Sequence, residues 1–343
     1  MSSHPLRPVT LAEAPAVGGT PVRPVRVPLP GRSVRLWLKL EAENSFGSVK
    51  ARTAAALLDR LEETGHLGPG RRVVESTSGN LGVALAGLCR ARGYACSLVV
   101  EESTPRTSVD RMAAYGAEVL TVRPAPGTTT LDARLAAVRD LLARDPDAVW
   151  TDQYASSANP RVHETRTAVE LAAAAPEGGF DAVCVAVSTG GTLAGVATHF
   201  RRHAPATSVV AVDAVGSAAL GGPPAERPFK LAGFGSGRRS RFVEPRHWDA
   251  VVRLRDEDAA AACARVLVRG GVSLGGSAGA TVLAAVLRAG ADPALREVAC
   301  LCPDDGEKYP QIDPAHAGSR PAGAAPAVAD ALDCLNLLTP EGG

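Results

Sequence analysis

Along the chain, short apolar runs alternate with longer stretches in which apolar residues return every three or four positions. Runs of the first kind fit buried strands, and stretches of the second kind fit helices that lay one face on a sheet. Strands are predicted at 36–40, 72–75, 95–100 and 118–122, and helices at 51–63, 81–92, 106–115 and 131–143. Gly93 and Gly116 each stand just past a helix, where a left-handed cap is wanted. The alternation resumes near Pro160 with a helix to about Ala174, strands at 182–187 and 208–212, and a helix after Thr192. Helices at 258–268 and 278–287 and a last strand at 298–301 complete it. Strand and helix in turn predict parallel sheets covered on both faces, an α/β architecture.

Three segments fall outside that pattern. Residues 1–30 are rich in proline and valine and carry no predicted periodic element. Residues 215–245 are rich in Gly, Pro, Ser and Arg and too long for an ordinary connection, which predicts a functional or mobile loop. After Gln311 the tail is rich in alanine and proline, with one short helical run at 328–338.

Composition narrows the class. With 343 residues, 45% of them hydrophobic, the chain can bury a large core and should divide into about two domains. Its 37 basic and 36 acidic residues leave a net charge of +1, so no electrostatic argument favours nucleic acid or an anionic membrane as partner. No apolar run reaches the roughly 18 residues that span a bilayer. Glu13 and several prolines stand where a signal peptide would be apolar, so a cytoplasmic location is expected. The seven cysteines are odd in number and scattered, unlike a disulfide framework. Cys89, Cys184 and Cys263 lie in apolar runs as small hydrophobes, and Cys300 and Cys302 lack a second pair at zinc-site spacing, so no metal is expected.

Four turns between apolar runs and helices carry the candidate chemistry. In Asn44-Ser45-Phe46-Gly47-Ser48-Val49-Lys50 a lysine sits at the threshold of a helix, where the dipole favours its neutral, nucleophilic amine. A solvated surface lysine is the ordinary alternative. Glu75-Ser76-Thr77-Ser78-Gly79-Asn80 offers hydroxyls, helix-start amides and a carboxamide, a set that suits a carboxylate ligand and equally an N-cap. Ser188-Thr189-Gly190-Gly191-Thr192 follows an apolar strand and opens a helix, so its backbone could cradle a phosphate; glycines that merely pack a helix on a sheet are the alternative. Gly275-Gly276-Ser277-Ala278-Gly279 puts a hydroxyl at a fourth helix start, which is also a common packing arrangement.

In order and separation these four stretches resemble the fold-type II pyridoxal-phosphate enzymes, the family of cysteine synthase, from about Gly19 to Tyr309. The resemblance implies an α/β fold of two three-layer αβα domains with mostly parallel sheets. The small domain would be 44–155, and the large cofactor-binding domain 1–43 plus 156–343. It also implies a homodimer, pyridoxal 5'-phosphate as cofactor and small amino acids as substrates. Lys50 would hold the cofactor covalently and, once freed, remove the substrate's α-proton. Ser188, Thr189, Gly190, Gly191 and Thr192 would hold the phosphate, with Ser188 where a glycine is common. Asn80 would bond the phenolic oxygen, and Ser277 would face the pyridine nitrogen. Ser76, Thr77, Ser78 and Gly79, joined by Gln153, would bind the substrate carboxylate. A hydroxyl at the ring nitrogen leaves a weaker electron sink than a carboxylate would and favours β-elimination over transamination. The implied reaction is β-replacement on an activated L-serine in two half-reactions.

Leu81 follows Ser-Gly-Asn where the sulfide-using branch usually shows threonine. With Gln153-Tyr154 and Gly233-Phe234-Gly235-Ser236, it looks more like the siderophore-type enzymes that join O-phospho-L-serine to L-glutamate. Their product is N-(2-amino-2-carboxyethyl)-L-glutamate, a precursor of 2,3-diaminopropionate in siderophore or antibiotic biosynthesis. Arg238, Arg239 and Arg241 follow at once and suit a phosphoryl group or the carboxylates of glutamate, or form a solvated basic loop. A cysteine synthase, a β-replacement enzyme using another amine, and a cofactor-loaded regulatory protein without turnover stand as alternatives.

Overall fold

The structure is a computed structural model that describes residues 15–125, 127–225 and 231–341. Glu13 and the start of the proline-rich N-terminus lie outside the described residues, as do 226–230 of the 215–245 stretch.

Strands β1 (Val22–Leu29), β2 (Arg32–Leu40), β3 (Arg72–Ser76), β4 (Ala95–Glu101), β5 (Glu118–Val122) and β6 (Ala148–Trp150) fall in the first half. The second half supplies β7 (Ala182–Ala186), β8 (Ser208–Ala214), β9 (Ala250–Leu254), β10 (Glu297–Cys302) and β11 (Thr339–Pro340). One sheet has four strands in the order β5-β4-β3-β6, all parallel. The other has seven in the order β11-β1-β2-β10-β7-β8-β9, parallel from β2 to β9 and antiparallel where β1 meets β2 and β11.

Helices α1 (Lys50–Glu63), α2 (Asn80–Arg92) and α3 (Arg106–Ala114) cover one face of the small sheet, and α4 (Thr130–Arg144) covers the other. Val73, Leu98 and Val100 point to the first face, against Leu57, Leu58, Leu81 and Leu85, while Val74 and Val99 point to the second, against Val138. This alternation is the period-2 pleat of a strand buried on both sides. After α5 (Ala158–Val162) come one wide π turn (His163–Thr167) and α6 (Ala168–Ala173). The large sheet is sandwiched in the same way. Val183, Val185 and Leu301 meet α6 and α7 (Gly191–His203), and Cys184, Val210 and Val298 meet α8 (Asp256–Gly270), α9 (Gly276–Ala291) and α10 (Pro326–Leu335). Each such side chain withdrawn from water contributes about 1.5–3 kcal/mol before the entropy of ordering is subtracted. Both sheets are therefore αβα sandwiches, as the sequence predicts.

The first correction concerns the stretch read as non-periodic, which contains β1. Val25, Val27 and Leu29 alternate into the core. Pro24 and Pro28 share the opposite parity, and the carbonyl of Pro24 accepts from the Glu341 amide, so its missing N–H faces the sparsely paired edge rather than β2. Proline is tolerated only on such a side of a strand. The single helix predicted from Pro160 is instead α5, the π turn and α6. Strands β6, β9 and β11 were not predicted; all are short and carry half-exposed or exposed residues that mute the apolar signal.

All seven cysteines are free thiols; six are buried and Cys334, on α10, is half-buried. No helix among the described residues is long and apolar enough to cross a membrane.

Candidate active site

The predicted motifs gather where strands end and helices begin. In parallel sheets those ends lie on one side, where ligands of α/β proteins bind. Lys50 opens α1, and the turn leading to it is stitched to the end of β10 by the Val49 amide, which donates to the Pro303 carbonyl. The half-buried Lys50 amine lies 3.5 Å from Gln153 Oε1. Burial lowers its pKa to about 8, with the negative charge of Glu75 opposing that shift. A lysine held this way keeps an appreciable neutral fraction near neutral pH, and that is the form that attacks a carbonyl.

Gln153 is itself held by a buried carboxylate. Glu75 accepts from the Ser76 amide (2.7 Å), the Gln153 amide (3.0 Å), Thr151 Oγ1 (2.5 Å) and Trp150 Nε1 (3.2 Å). Burial pushes the Glu75 carboxyl upward, and these four bonds pull it back. Asp152, just before Gln153, takes φ +44°, the one positive φ outside glycine among the described residues. Strain of that kind persists where neighbouring bonds over-determine the turn, as Glu75 does here. Gln153 Nε2 donates to the Ser76 carbonyl at 2.8 Å, which joins Gln153 to the 76–79 turn.

Within that turn, Thr77 Oγ1 accepts from the amides of Gly79 (3.1 Å) and Gly82 (3.0 Å), so its hydroxyl caps α2 and keeps only its proton to give. Ser78 is exposed, and the buried Ser76 hydroxyl has no partner among the described residues. Gly79 takes φ +143°, a conformation that only glycine adopts readily. Asn80 is gripped at both ends of its amide. Its Nδ2 donates to Asp304 Oδ2 at 2.7 Å, and its Oδ1 accepts from Lys308 Nζ at 2.6 Å.

The Ser188 to Thr192 turn follows β7 and opens α7, with Gly190 at φ +89°. The amides of Ser188, Thr189 and Gly190 donate to no acceptor among the described residues, which makes this turn an anion nest at a helix start. Thr192 Oγ1 lies 3.3 Å from His163 Nε2, and the same nitrogen lies 3.2 Å from Thr53 Oγ1 on α1. Burial first, then the charges of Lys50 and Arg52, lower His163 to about 3, so this tie between the lysine helix and the nest is a neutral imidazole. Ser277 is buried at the start of α9. A primary amine of lowered pKa, an anion nest, a carboxamide and a buried hydroxyl fit an aldehyde-bearing aromatic phosphate.

The three arginines stand at the outer rim of the nest. With Tyr154, Ser188, Thr189, Ser236 and Ser240 they line one small cleft. Arg238 stacks 4.1 Å over the Tyr154 ring, whereas Arg239 and Arg241 are exposed. The segment that carries them is sewn down, the Gly235 amide donating to the Val187 carbonyl and the Ser240 amide to the Ala219 carbonyl.

Sequence reasoning missed Glu75 as an anchor, and Arg134, His163, Asp304 and Lys308 altogether. Arg134, on α4, is buried, with Nε and Nη1 making no hydrogen bond among the described residues and Nε 3.8 Å from Glu101, and its charge acts on the half-buried phenol of Tyr154. The run Cys302-Pro303-Asp304, an apolar strand ending in a polar turn, has the form of the motifs that were read and could have flagged the last pair.

Known proteins identify the family. Residues 13–304 match the family described as "Pyridoxal-phosphate dependent enzyme". The chain is 37% identical over 332 residues, covering 94% of it and 96% of the relative, to N-(2-amino-2-carboxyethyl)-L-glutamate synthase of Ralstonia nicotianae. It is 32% identical, over 85% of its length and 93% of the relative's, to cysteine synthase of Staphylococcus aureus. Among solved structures, O-ureido-L-serine synthase superposes with a TM-score of 0.77 at 29% identity, covering 85% of this chain and 91% of that one. The chain therefore belongs to the pyridoxal-phosphate dependent enzymes, in the fold-type II, cysteine synthase-like branch that carries out β-replacement.

Proposed function

We propose that the chain joins O-phospho-L-serine to L-glutamate, giving N-(2-amino-2-carboxyethyl)-L-glutamate for 2,3-diaminopropionate and secondary-metabolite biosynthesis. One observation carries the choice of glutamate: Arg134 is buried beside Tyr154 with Nε and Nη1 making no hydrogen bond among the described residues, its carboxylate contact being a long one, 3.8 Å from Nε to Glu101. A guanidinium left so is costly unless an anion completes it. A nucleophile with an additional carboxylate supplies that anion; sulfide does not. The relative from Ralstonia nicotianae supports the same product.

When bound, pyridoxal phosphate supplies the electron sink for loss of the α-proton. Lys50 would carry it, the amides and hydroxyls of Ser188, Thr189, Gly190, Gly191 and Thr192 would hold its phosphate, and Asn80 and Ser277 would meet its ring. The freed Lys50 amine then takes the α-proton and can return one to the α-carbon after the nucleophile has added. Ser76, Thr77, Ser78, Gly79 and Gln153 orient the substrate carboxylate. Arg238, Arg239 and Arg241, at the rim, attract a doubly charged donor such as phosphoserine. The first half-reaction releases phosphate from the β-carbon, and the glutamate amine then bonds to that carbon. We further propose that 44–155 forms a small domain and 1–43 plus 156–343 the large cofactor-binding domain, that two chains form a homodimer, and that the enzyme works in the cytoplasm.

The test offers phosphoserine and acetylserine with glutamate, sulfide and a panel of amines, and identifies products by mass spectrometry. The glutamate adduct is expected from phosphoserine. Arg134→Met should raise the KM for glutamate about tenfold or more while phosphate release in a single turnover without glutamate stays near wild type. A wild type that ignores glutamate and makes cysteine from sulfide would overturn the reading in favour of a cysteine synthase.

A further inference from the structure

Asn80 stands between two opposite charges. Its Nδ2 faces the Asp304 carboxylate, and its Oδ1 faces the Lys308 ammonium, which also lies 3.1 Å from Asp304 Oδ2. Tyr309 OH donates to that same oxygen at 2.7 Å, so three donors converge on Oδ2. Oδ1 is buried and without a partner among the described residues, and it lies so close to Gly275 that a Cβ there would fall 2.0 Å away. Asp304 is locked through its backbone as well. It pairs with Ser48, in the turn before Lys50, and its carbonyl accepts from the Gly275 amide at the start of α9. The group that holds Asn80 is thus fixed to the lysine turn on one side and to the Ser277 helix on the other.

We propose that Asp304 and Lys308 are positioning residues that clamp the Asn80 amide in one orientation and polarise it toward the cofactor's phenolic oxygen. An amide is nearly symmetric in shape, and its orientation is decided by its partners. Here the flipped amide would set its NH2 against an ammonium and its carbonyl against a carboxylate. With one N–H committed to Asp304, a single N–H remains to give. Lys308, bonded to the carbonyl end, draws electron density from the amide and makes that remaining N–H a stronger donor. Such a donor favours the ionised phenolic oxygen. Its consequence is electronic, because it biases which form of the Lys50-bound cofactor predominates.

The inference rests on Asn80 meeting the phenolic oxygen, and the experiment separates the two ideas. In the holoenzyme the visible absorbance band belongs to bound cofactor with that oxygen ionised, and the near-ultraviolet band to the form in which it carries a proton. Lys308→Met is expected to lower the visible to near-ultraviolet ratio by about threefold or more, with cofactor per chain, measured by borohydride fixation, unchanged. Lys308→Gln, which still donates but carries no charge, should lie between Met and wild type, Lys308→Arg should restore the ratio, and Asp304→Asn should lower it. If Asn80→Ala shifts the ratio while both neutral Lys308 variants keep the wild-type value, the clamp is overturned and Asn80 keeps its role. If Asn80→Ala also leaves the ratio unchanged, the reading of Asn80 fails with it.

Discussion

A lysine amine lowered to about 8 differs in kind from an ordinary one, which at that pH is neutral in well under roughly one part in a hundred. Because burial penalises the charged form of Lys50, the neutral amine gains as pH rises through about 8 and saturates above it. Reattachment of pyridoxal phosphate to apoenzyme, followed by stopped-flow absorbance, should show that midpoint, and borohydride should then fix the label on Lys50. A midpoint near the ordinary lysine value, or a label on another lysine, would remove Lys50 from this role. Lys50 was legible because it falls in a turn with its own local grammar of small residues before a helix, as did the nest at Ser188 to Thr192. Asp304 and Arg134 were not. Asn80 and Asp304 are 224 positions apart, and the buried guanidinium of Arg134, with two nitrogens short of a hydrogen bond, reads in sequence as one more polar residue of a helix.

Helix packing supplies a sharper constraint than helix formation. On α7 a Cβ at Gly195 would fall 2.2 Å from the Pro160 carbonyl and 2.7 Å from the Glu164 amide, so this glycine is what allows the π turn with His163 to lie against the nest helix. Backbone on the far side cannot swing away as a long side chain would. Gly195→Ala should therefore cost about 1–3 kcal/mol and loosen cofactor retention. Gly290, near the exposed end of α9, has nothing within 4 Å of such a Cβ, and Gly290→Ala should gain up to about 1 kcal/mol. Thermal melts of the two variants read both outcomes; equal shifts would mean that the close contact at Gly195 does not limit the fold. The helices and most core strands were legible because their apolar period is regular. Strand β1 was hidden because Pro24 and Pro28 look like breakers until the edge they face is known, and the widened turn at His163 buries two polar residues, His163 and Thr167, which carry no apolar signal.

Across the whole molecule, one buried ion cluster ties the segments that the site depends on. Arg52 on α1 donates to Glu41, after β2, at 2.6 Å and to Glu170 on α6 at 2.6 Å, while Lys39 on β2 donates to Glu170 at 2.7 Å. Arg52→Met would leave the buried Glu41 with Thr20, Asn44 and a Lys39 ammonium 3.9 Å away but no close cation, and should cost about 3 kcal/mol. Burial alone would raise Glu170, but the bonds from Arg52 and Lys39 prevail and hold it at about 2. Since the folded value lies below the ordinary one, this carboxylate stabilises the protein above about pH 4.5, and that contribution drains away as pH falls toward 2. The melting temperature of wild type should fall more steeply between about pH 5 and 3 than that of Glu170→Gln; parallel curves would show that the cluster does not set acid stability. The distribution of thiols has a different, practical consequence. Six are shut in the core, and only Cys334, on a helix at the far margin of the large sheet, meets solvent. Because burial and the nearby Asp330 and Asp333 raise that thiol, a maleimide dye added under mildly alkaline conditions should couple there alone, at one dye per chain. The native protein thereby offers a ready-made handle for single-molecule fluorescence, with no cysteine to engineer in or out.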